Sequence, residues 1–269
     1  SPAYSPEHNN HQYSAAMSKK PVRKEVSKKS GLNPTVFWIV LMLIAVPLLS
    51  RLVTDFFLNI DDDLYWLNNP YIKSLSFPNI KKVFSEYYGG NYHPVTTLIE
   101  AVEYSLFGLK ASALHAVSLL VHFLNGWLVY RLASRFSDRM EFRAIVTFIF
   151  LLHPMHIEPV AWITDKTDLY STAFMLGSLL FYIDFLRRDT KKDLALSFLL
   201  FLLAIGSKPS AIALPLLLFV IDYHFGQPWK KGLPVKVLFL AVAAVFAYVT
   251  FVSLHSDSRL SPYLLPDYS

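Results

Sequence analysis

Long apolar runs alternate with short polar segments along most of the chain. Several of these runs are shorter than the ~20 residues that a helix needs to cross a bilayer perpendicularly. Their ends must therefore extend into the flanking residues, or the helices must be shielded by protein. The seven runs cover 36–58, 114–132, 142–152, 169–186, 194–205, 211–223 and 235–254. This pattern predicts an all-α, polytopic membrane helical bundle with about seven transmembrane helices.

The composition supports a membrane protein. Of the 269 residues, 54% are hydrophobic, and the mean hydropathy of +0.37 exceeds what a soluble domain of this length needs for its core. The chain contains no cysteine, which excludes disulfides, thiolate metal sites and thiol nucleophiles. The formal net charge of +5 does not indicate a nucleic-acid partner, because the basic residues lie in short clusters between apolar runs.

These basic clusters orient the predicted spans. Of the 25 Lys and Arg residues, 17 fall on one side of the membrane, within 19–29, 131–143, 187–192 and 230–236. The positive-inside rule makes this side cytoplasmic. The sequence therefore predicts a cytoplasmic N-terminal segment (1–30), a transmembrane domain (31–254) and an extracytoplasmic tail (255–269).

The segment 59–112 then becomes the first extracytoplasmic loop. It is too long for a simple connection between two spans. Aromatic and apolar residues alternate in it with polar ones, among them Tyr87, Tyr92 and Phe107. We expect short interfacial helices that lie along the membrane surface.

Three consecutive carboxylates, Asp61 to Asp63, begin this loop. Such a cluster can be a solvated loop start. It can also provide a general base for an acceptor hydroxyl, or hold a divalent cation that neutralises a leaving phosphate. Asp61 and Asp62 are therefore candidates for both catalysis and metal binding.

A second group of polar residues, His153, His156 and Glu158, falls on the same predicted face. Pro154 and Pro159 interrupt this segment, which makes a continuous helix face improbable and disfavours zinc. Hydrogen bonding to a substrate or to the first loop is the favoured interpretation.

Lys208 lies in a turn on the predicted outer side, against the positive-inside bias. A lysine at a helix end is commonly a snorkelling residue or a topology signal. At this position it can also hold a lipid-linked phosphate. Within the second apolar run, His115, His122 and Asn125 can form a relay or hydrogen bonds between helices. We favour hydrogen bonding, because no paired carboxylate lies near them in sequence.

Taken in order, these motifs resemble a known family. The set resembles the membrane half of bacterial TPR-containing glycosyltransferase-like proteins, which are similar to the transmembrane and TPR-repeat O-mannosyltransferases and, more distantly, to protein O-mannosyltransferases. The resemblance covers about 57–223. It rests on the ordered set Asn59-Ile-Asp-Asp-Asp-Leu-Tyr65, Asn69-Pro70, Asn91-Tyr-His-Pro-Val-Thr-Thr97, Leu106-Phe-Gly108, His115 with His122, His153-Pro-Met-His-Ile-Glu-Pro-Val-Ala-Trp162, Lys166-Thr-Asp-Leu169, Ser207-Lys-Pro209 and Leu214-Pro215.

The resemblance implies a GT-C fold in a bacterial inner (plasma) membrane. It further implies a polyprenyl-phosphate sugar as donor and an extracytoplasmic protein as acceptor. Asp61 and Asp62 fall on the acidic catalytic pair of the family. The implied substrate- and donor-binding residues are His93, His153, His156, Glu158, Lys166 and Lys208, with the two lysines expected near the donor phosphate.

Two departures from the family pattern leave a second function open. The chain contains no repeat of about 34 residues and stops after the seventh run. Lys166 also stands where an arginine is usual, which loses bidentate phosphate geometry. The alternative is a catalytically silent accessory subunit that docks onto other subunits of a larger complex. A small transporter is disfavoured, because the polar residues lie at one face and not at the membrane midplane.

Overall fold

The computed structural model describes residues 33–53, 57, 61–228 and 232–256. The predicted N-terminal segment (1–30) and the tail from residue 257 onward lie outside the described residues. Within the described part, the regular elements are helices, which confirms the predicted all-α class.

Ten α-helices are found in the described residues. We number them α1 (Pro34–Leu49), α2 (Phe77–Ser85), α3 (Pro94–Phe107), α4 (Ala111–Phe136), α5 (Met140–Leu152), α6 (Pro154–Ala161), α7 (Lys166–Arg188), α8 (Lys191–Ser207), α9 (Leu214–His224) and α10 (Leu233–Ser256). Shorter helical turns cover Ser50–Leu52, Asp63–Leu67, Ile163–Asp165 and Pro209–Ala213. Each of the seven predicted runs overlaps one helix, and α2 and α3 lie in the predicted first loop.

Among the described residues, four helical segments are long and apolar enough to cross a membrane: Pro34–Leu52, Ala111–Phe136, Ile163–Arg188 and Leu233–His255. Helices α5 and α6, which are bent by 48° relative to each other, make a fifth if they form one broken span. These segments support an integral membrane protein. The number of spans, expected to be about seven, and the orientation of the chain stay predictions.

The bend between α5 and α6 is located at His153 and Pro154. Proline disfavours the helical conformation for the residue before it, and His153 is extended at φ −69° and ψ 130°. Pro154 then begins α6, where its missing N–H removes no helical hydrogen bond. The expectation that prolines interrupt this segment holds at Pro154, whereas Pro159 lies inside α6. A single proline there removes one intrahelical hydrogen bond, so the short helix persists.

Buried polar contacts join the long helices. His122 Nε2 lies 3.0 Å from the Leu151 carbonyl oxygen, and the Asn125 amide donates to the Leu169 carbonyl over 2.9 Å. Ser178 on α7 donates to the Ser197 carbonyl on α8 over 2.8 Å. The predicted hydrogen bonding between helices is therefore confirmed for His122 and Asn125.

The N-terminal end of α3 packs tightly against the C-terminal end of α8. A Cβ atom on Gly206 would lie 2.7 Å from Val95 Cγ2, which is closer than carbon atoms normally approach. The Thr96 hydroxyl also donates to the Ser207 carbonyl over 3.1 Å. These contacts place the beginning of α3 next to Lys208, the residue that follows α8.

We expect Gly206→Ala to destabilise the protein by about 1–3 kcal/mol, because the methyl group overlaps the stiff side chain of Val95. Thermal unfolding in detergent measures this effect. Gly177→Ala is the matched control, since its Cβ would lie 3.1 Å from the flexible end of Leu200. Equal melting temperatures for the two variants would contradict this view of the α3–α8 contact.

The predicted orientation can be tested directly, because these 269 residues contain no cysteine. Ser85 and Asp138 are exposed and lie on opposite predicted sides. A membrane-impermeant thiol reagent added from outside should label Ser85→Cys and leave Asp138→Cys unlabelled. The reverse labelling pattern would invert the proposed topology.

Candidate functional site

The three acidic residues at positions 61 to 63 form the start of one helical turn, and only the middle one is buried. Asp62 Oδ1 accepts hydrogen bonds from the Thr164 backbone N–H over 3.0 Å and from the Thr164 hydroxyl over 2.5 Å. Asp61 and Asp63, on either side, are exposed. Asp62 therefore attaches the acidic turn to the short turn Ile163–Asp165 that precedes α7.

A cavity of about 240 Å³ lies beside the acidic turn. Five parts of the chain contribute to its wall: the acidic turn, the segment 69–91, the first two turns of α3 with the residue before them, the segment 162–167 at the beginning of α7, and Lys208 after α8. Its polar and charged lining residues include Asp61, Asn69, Glu86, Asn91, His93, Thr96, Thr97, Glu100, Thr164, Asp165, Thr167 and Lys208.

Three tyrosines form an aromatic part of this wall. The Tyr71 and Tyr88 ring centroids are 5.5 Å apart and those of Tyr65 and Tyr88 are 6.1 Å apart, both in edge-to-face geometry. The Tyr65 hydroxyl donates to the Gly89 carbonyl over 3.0 Å. Tyr71 donates to Glu86, and this hydrogen bond, together with burial, raises the pKa of Tyr71 to about 12. The wall is therefore fixed by hydrogen bonds at its polar edges.

Lys208 provides the positive charge of the cavity. Its Nζ lies 2.6 Å from Asp168 Oδ2 and 3.2 Å from Asp165 Oδ1. Burial acts against the charge of Lys208, but the two carboxylates outweigh it and raise its pKa. An ammonium group has three donors, so one remains beyond these two contacts.

His93 contributes an uncharged ring. It lies immediately before α3 and lines the cavity. Burial lowers the pKa of His93 to about 4, the charge of Lys208 adds to this, and Asp168 opposes it. His93 is therefore neutral at pH 7 and can act as a hydrogen-bond donor or acceptor without adding charge.

Lys166, expected near the donor phosphate, is not among the residues that line the cavity. Its side chain is fully buried, and Nζ lies 2.5 Å from Glu103 Oε2. The ammonium group also lies 4.8 Å from the centre of the Trp66 ring. Lys166 therefore belongs to a buried ion pair and not to the cavity wall.

The second group of polar residues, His153, His156 and Glu158, also lies away from this cavity. His153 and Glu158 are exposed, and His153 Nδ1 accepts from the Met155 N–H over 3.2 Å. His156 lines a second cavity of about 230 Å³, together with His122. Of the residues expected at the site, the first cavity brings together Asp61, His93 and Lys208.

Among the residues that the structure describes, no group of three or more His, Asp or Glu side chains is arranged to hold a metal ion. Asp62 is directed to Thr164, while Asp61 faces the cavity. The divalent cation expected at Asp61 and Asp62 stays a prediction.

Sequence reasoning missed two glutamates on α3, Glu100 and Glu103. Both are buried, and Glu100 lines the cavity. Burial raises the pKa of Glu100 well above its ordinary value, and the charge of Glu103 adds to this. Helical spacing contained the signal, because Thr96, Glu100 and Glu103 recur every three to four residues on the face that begins at His93.

Comparisons with known proteins extend this description. Residues 92–254 match the family model described as dolichyl-phosphate-mannose-protein mannosyltransferase. The chain is 27% identical over 173 residues to Protein O-mannosyl-transferase F38B6.6 of Caenorhabditis elegans, which is 60% of this chain and 24% of that protein. No solved structure matches the chain.

Two mammalian proteins are also similar. Identity is 27% over 92 residues to the human Protein O-mannosyl-transferase TMTC3, covering 34% of this chain and 10% of that protein. It is 34% over 97 residues to the mouse Protein O-mannosyl-transferase TMTC2, covering 35% of this chain and 11% of that protein. The chain thus matches a quarter or less of the length of these relatives. They are animal proteins, and a bacterial origin stays a prediction.

The low pKa of His93 has a consequence for stability. In the unfolded chain His93 becomes protonated below its ordinary pKa of 6.5, whereas in the folded protein it stays neutral down to about pH 4. His93 therefore lowers the free energy of unfolding as the pH falls from 6.5 to about 4. We expect the melting temperature of His93→Asn to fall less than that of the wild-type chain when the pH is lowered from 7 to 5. Identical pH dependence of the two proteins would contradict a neutral, desolvated His93.

Proposed function

Because the chain belongs to the dolichyl-phosphate-mannose-protein mannosyltransferase family, we propose that it is the membrane domain of a GT-C glycosyltransferase. In this proposal the domain transfers a mannose from a polyprenyl-phosphate donor to a protein hydroxyl on the extracytoplasmic side. The observation that supports it most is the cavity in which Asp61, the neutral His93 and the charged Lys208 share one wall. The chemistry needs a base for the acceptor and a cation for the leaving group.

Asp61 is the proposed general base. The acceptor oxygen forms a bond to C1 of the sugar as the bond between C1 and the phosphate oxygen breaks, which inverts the configuration at C1. The hydroxyl proton passes to the Asp61 carboxylate, and the polyprenyl phosphate departs with the electron pair. Asp61 lines the cavity, whereas the buried Asp62 is engaged by Thr164. Asp62 therefore acts as the positioning residue that fixes the turn.

Lys208 is the proposed partner of the leaving phosphate. The phosphate gains negative charge as the bond to the sugar breaks, and a fixed cation stabilises that charge in the transition state. Asp165 and Asp168 hold the ammonium group in place and keep it charged. Its third donor is the one that a phosphate oxygen would use.

Asp61→Asn keeps the shape of the side chain and removes the base. We expect the transfer of labelled mannose from dolichyl phosphate mannose to protein, measured in proteoliposomes, to fall by about a hundredfold or more. Asp63→Asn is the matched control. It removes the same charge two residues away, from an exposed side chain that does not line the cavity, and it should leave transfer unchanged.

Full activity of Asp61→Asn would eliminate Asp61 as the base. An equal loss in Asp63→Asn would show that the charge of the turn, and not one positioned carboxylate, supports transfer. If the wild-type chain transfers no mannose when donor and acceptor are both present, the alternative of a catalytically silent accessory subunit is favoured.

A further inference from the structure

Glu100 is a polar side chain of the cavity to which the proposed reaction assigns no role. It lines the cavity and is only 4% exposed. Within the described part of the chain, no hydrogen bond to its carboxyl group is found. Its carboxyl oxygens are not among the fully buried, unpartnered atoms of the described residues, so they are open to the cavity. A molecule that enters the cavity can therefore bind them directly.

The surroundings of Glu100 keep its carboxyl group neutral. Its neighbour Glu103 accepts hydrogen bonds from both Lys166 and Tyr170. The ammonium group of Lys166 is thus bound to Glu103, and a second ionised carboxylate beside this pair would be an uncompensated buried charge. The raised pKa of Glu100, caused first by burial and then by Glu103, agrees with this assignment.

A neutral carboxyl group matches a hydroxyl partner. It offers one O–H donor and one carbonyl acceptor, and a hydroxyl group can both accept and donate. A phosphate oxygen would use only the donor, and a cation would favour the ionised form. The cavity volume of about 240 Å³ is below the ~300–1,000 Å³ of pockets for drug-sized ligands. This volume suits a single sugar ring, which the tyrosine wall can contact on its apolar face.

We propose that Glu100 binds a hydroxyl group of the transferred sugar and makes the α3 side of this cavity a sugar subsite. The inference rests on the proposed function and deepens it. It assigns the recognition of the sugar to Glu100, and leaves the phosphate to Lys208 and the acceptor proton to Asp61. Since an acceptor serine or threonine also presents a hydroxyl group, the test must separate the two sources.

The test compares two lipids, dolichyl phosphate mannose and dolichyl phosphate, in binding titrations with the chain in nanodiscs. The wild-type chain should bind the mannose-bearing lipid more tightly. Glu100→Leu should weaken binding of that lipid about tenfold, because the sugar hydroxyl loses its partner. Binding of dolichyl phosphate should stay unchanged, since it has no sugar.

Two further variants complete the design. Glu100→Gln is neutral and keeps a donor and an acceptor, so it should retain the preference for the mannose-bearing lipid. Ser105→Ala is a control on the same helix, because Ser105 is exposed and its hydroxyl donates to the Val102 carbonyl over 2.7 Å. It should bind both lipids as the wild-type chain does. If Glu100→Leu does not fold, the lipid preferences of Glu100→Gln and of the wild-type chain decide the outcome.

The inference is overturned if Glu100→Leu keeps the full preference for the mannose-bearing lipid, or if Glu100→Gln loses it. It is also overturned if the variants change only the KM for the acceptor protein, which would assign the hydroxyl to the acceptor. If the wild-type chain binds both lipids equally, the sugar subsite is rejected. The proposed reaction then remains supported if Asp61→Asn reduces mannose transfer. Binding of neither lipid would contradict the proposed function as well.

Discussion

The buried ion pair between Glu103 and Lys166 is the interaction on which the candidate site depends. It joins α3 to the beginning of α7, and the ammonium group also lies against the ring of Trp66 in the acidic turn. Three separate parts of the chain therefore meet at one cation. Breaking a buried pair by removing one partner typically costs about 3–5 kcal/mol, because a charge is left uncompensated. The same pair engages the ammonium group of Lys166, so a charge on the neighbouring Glu100 would have no counterion of its own.

The charge distribution of the cavity follows from this arrangement. Lys208 is held between Asp165 and Asp168, which keep its ammonium group charged. His93 is uncharged at neutral pH. The α3 side of the cavity thus presents neutral hydrogen-bonding groups, and the charged groups lie outside α3, at Asp61, Glu86, Asp165 and Lys208. A ligand with an uncharged polyhydroxyl part and one anionic part matches this division.

The fold was predictable because apolar runs of this length have few structural solutions, and each of the seven overlaps a helix. The number of spans is harder to predict, because α8 begins with Lys191, Lys192 and Asp193 and α9 is short. Part of the site was also predictable, because sequence reasoning placed Asp61, His93 and Lys208 on the same, extracytoplasmic side of the membrane. Lys166 was expected beside a phosphate. Its partner in the structure, Glu103, lies 63 residues earlier, and no local sequence pattern reveals this pairing. Glu100 went unnoticed because a glutamate in a predicted surface loop is normally solvated.

The central claim is that the cavity between the acidic turn and α3 is where a lipid-linked sugar binds. A cryo-EM structure of the chain with dolichyl phosphate mannose bound tests this most directly. The account predicts density for the sugar ring in this cavity beside Glu100, with the phosphate at Lys208 and C1 within reach of an acceptor next to Asp61. Density for the lipid headgroup in the second cavity beside His156, with the first cavity empty, would contradict it.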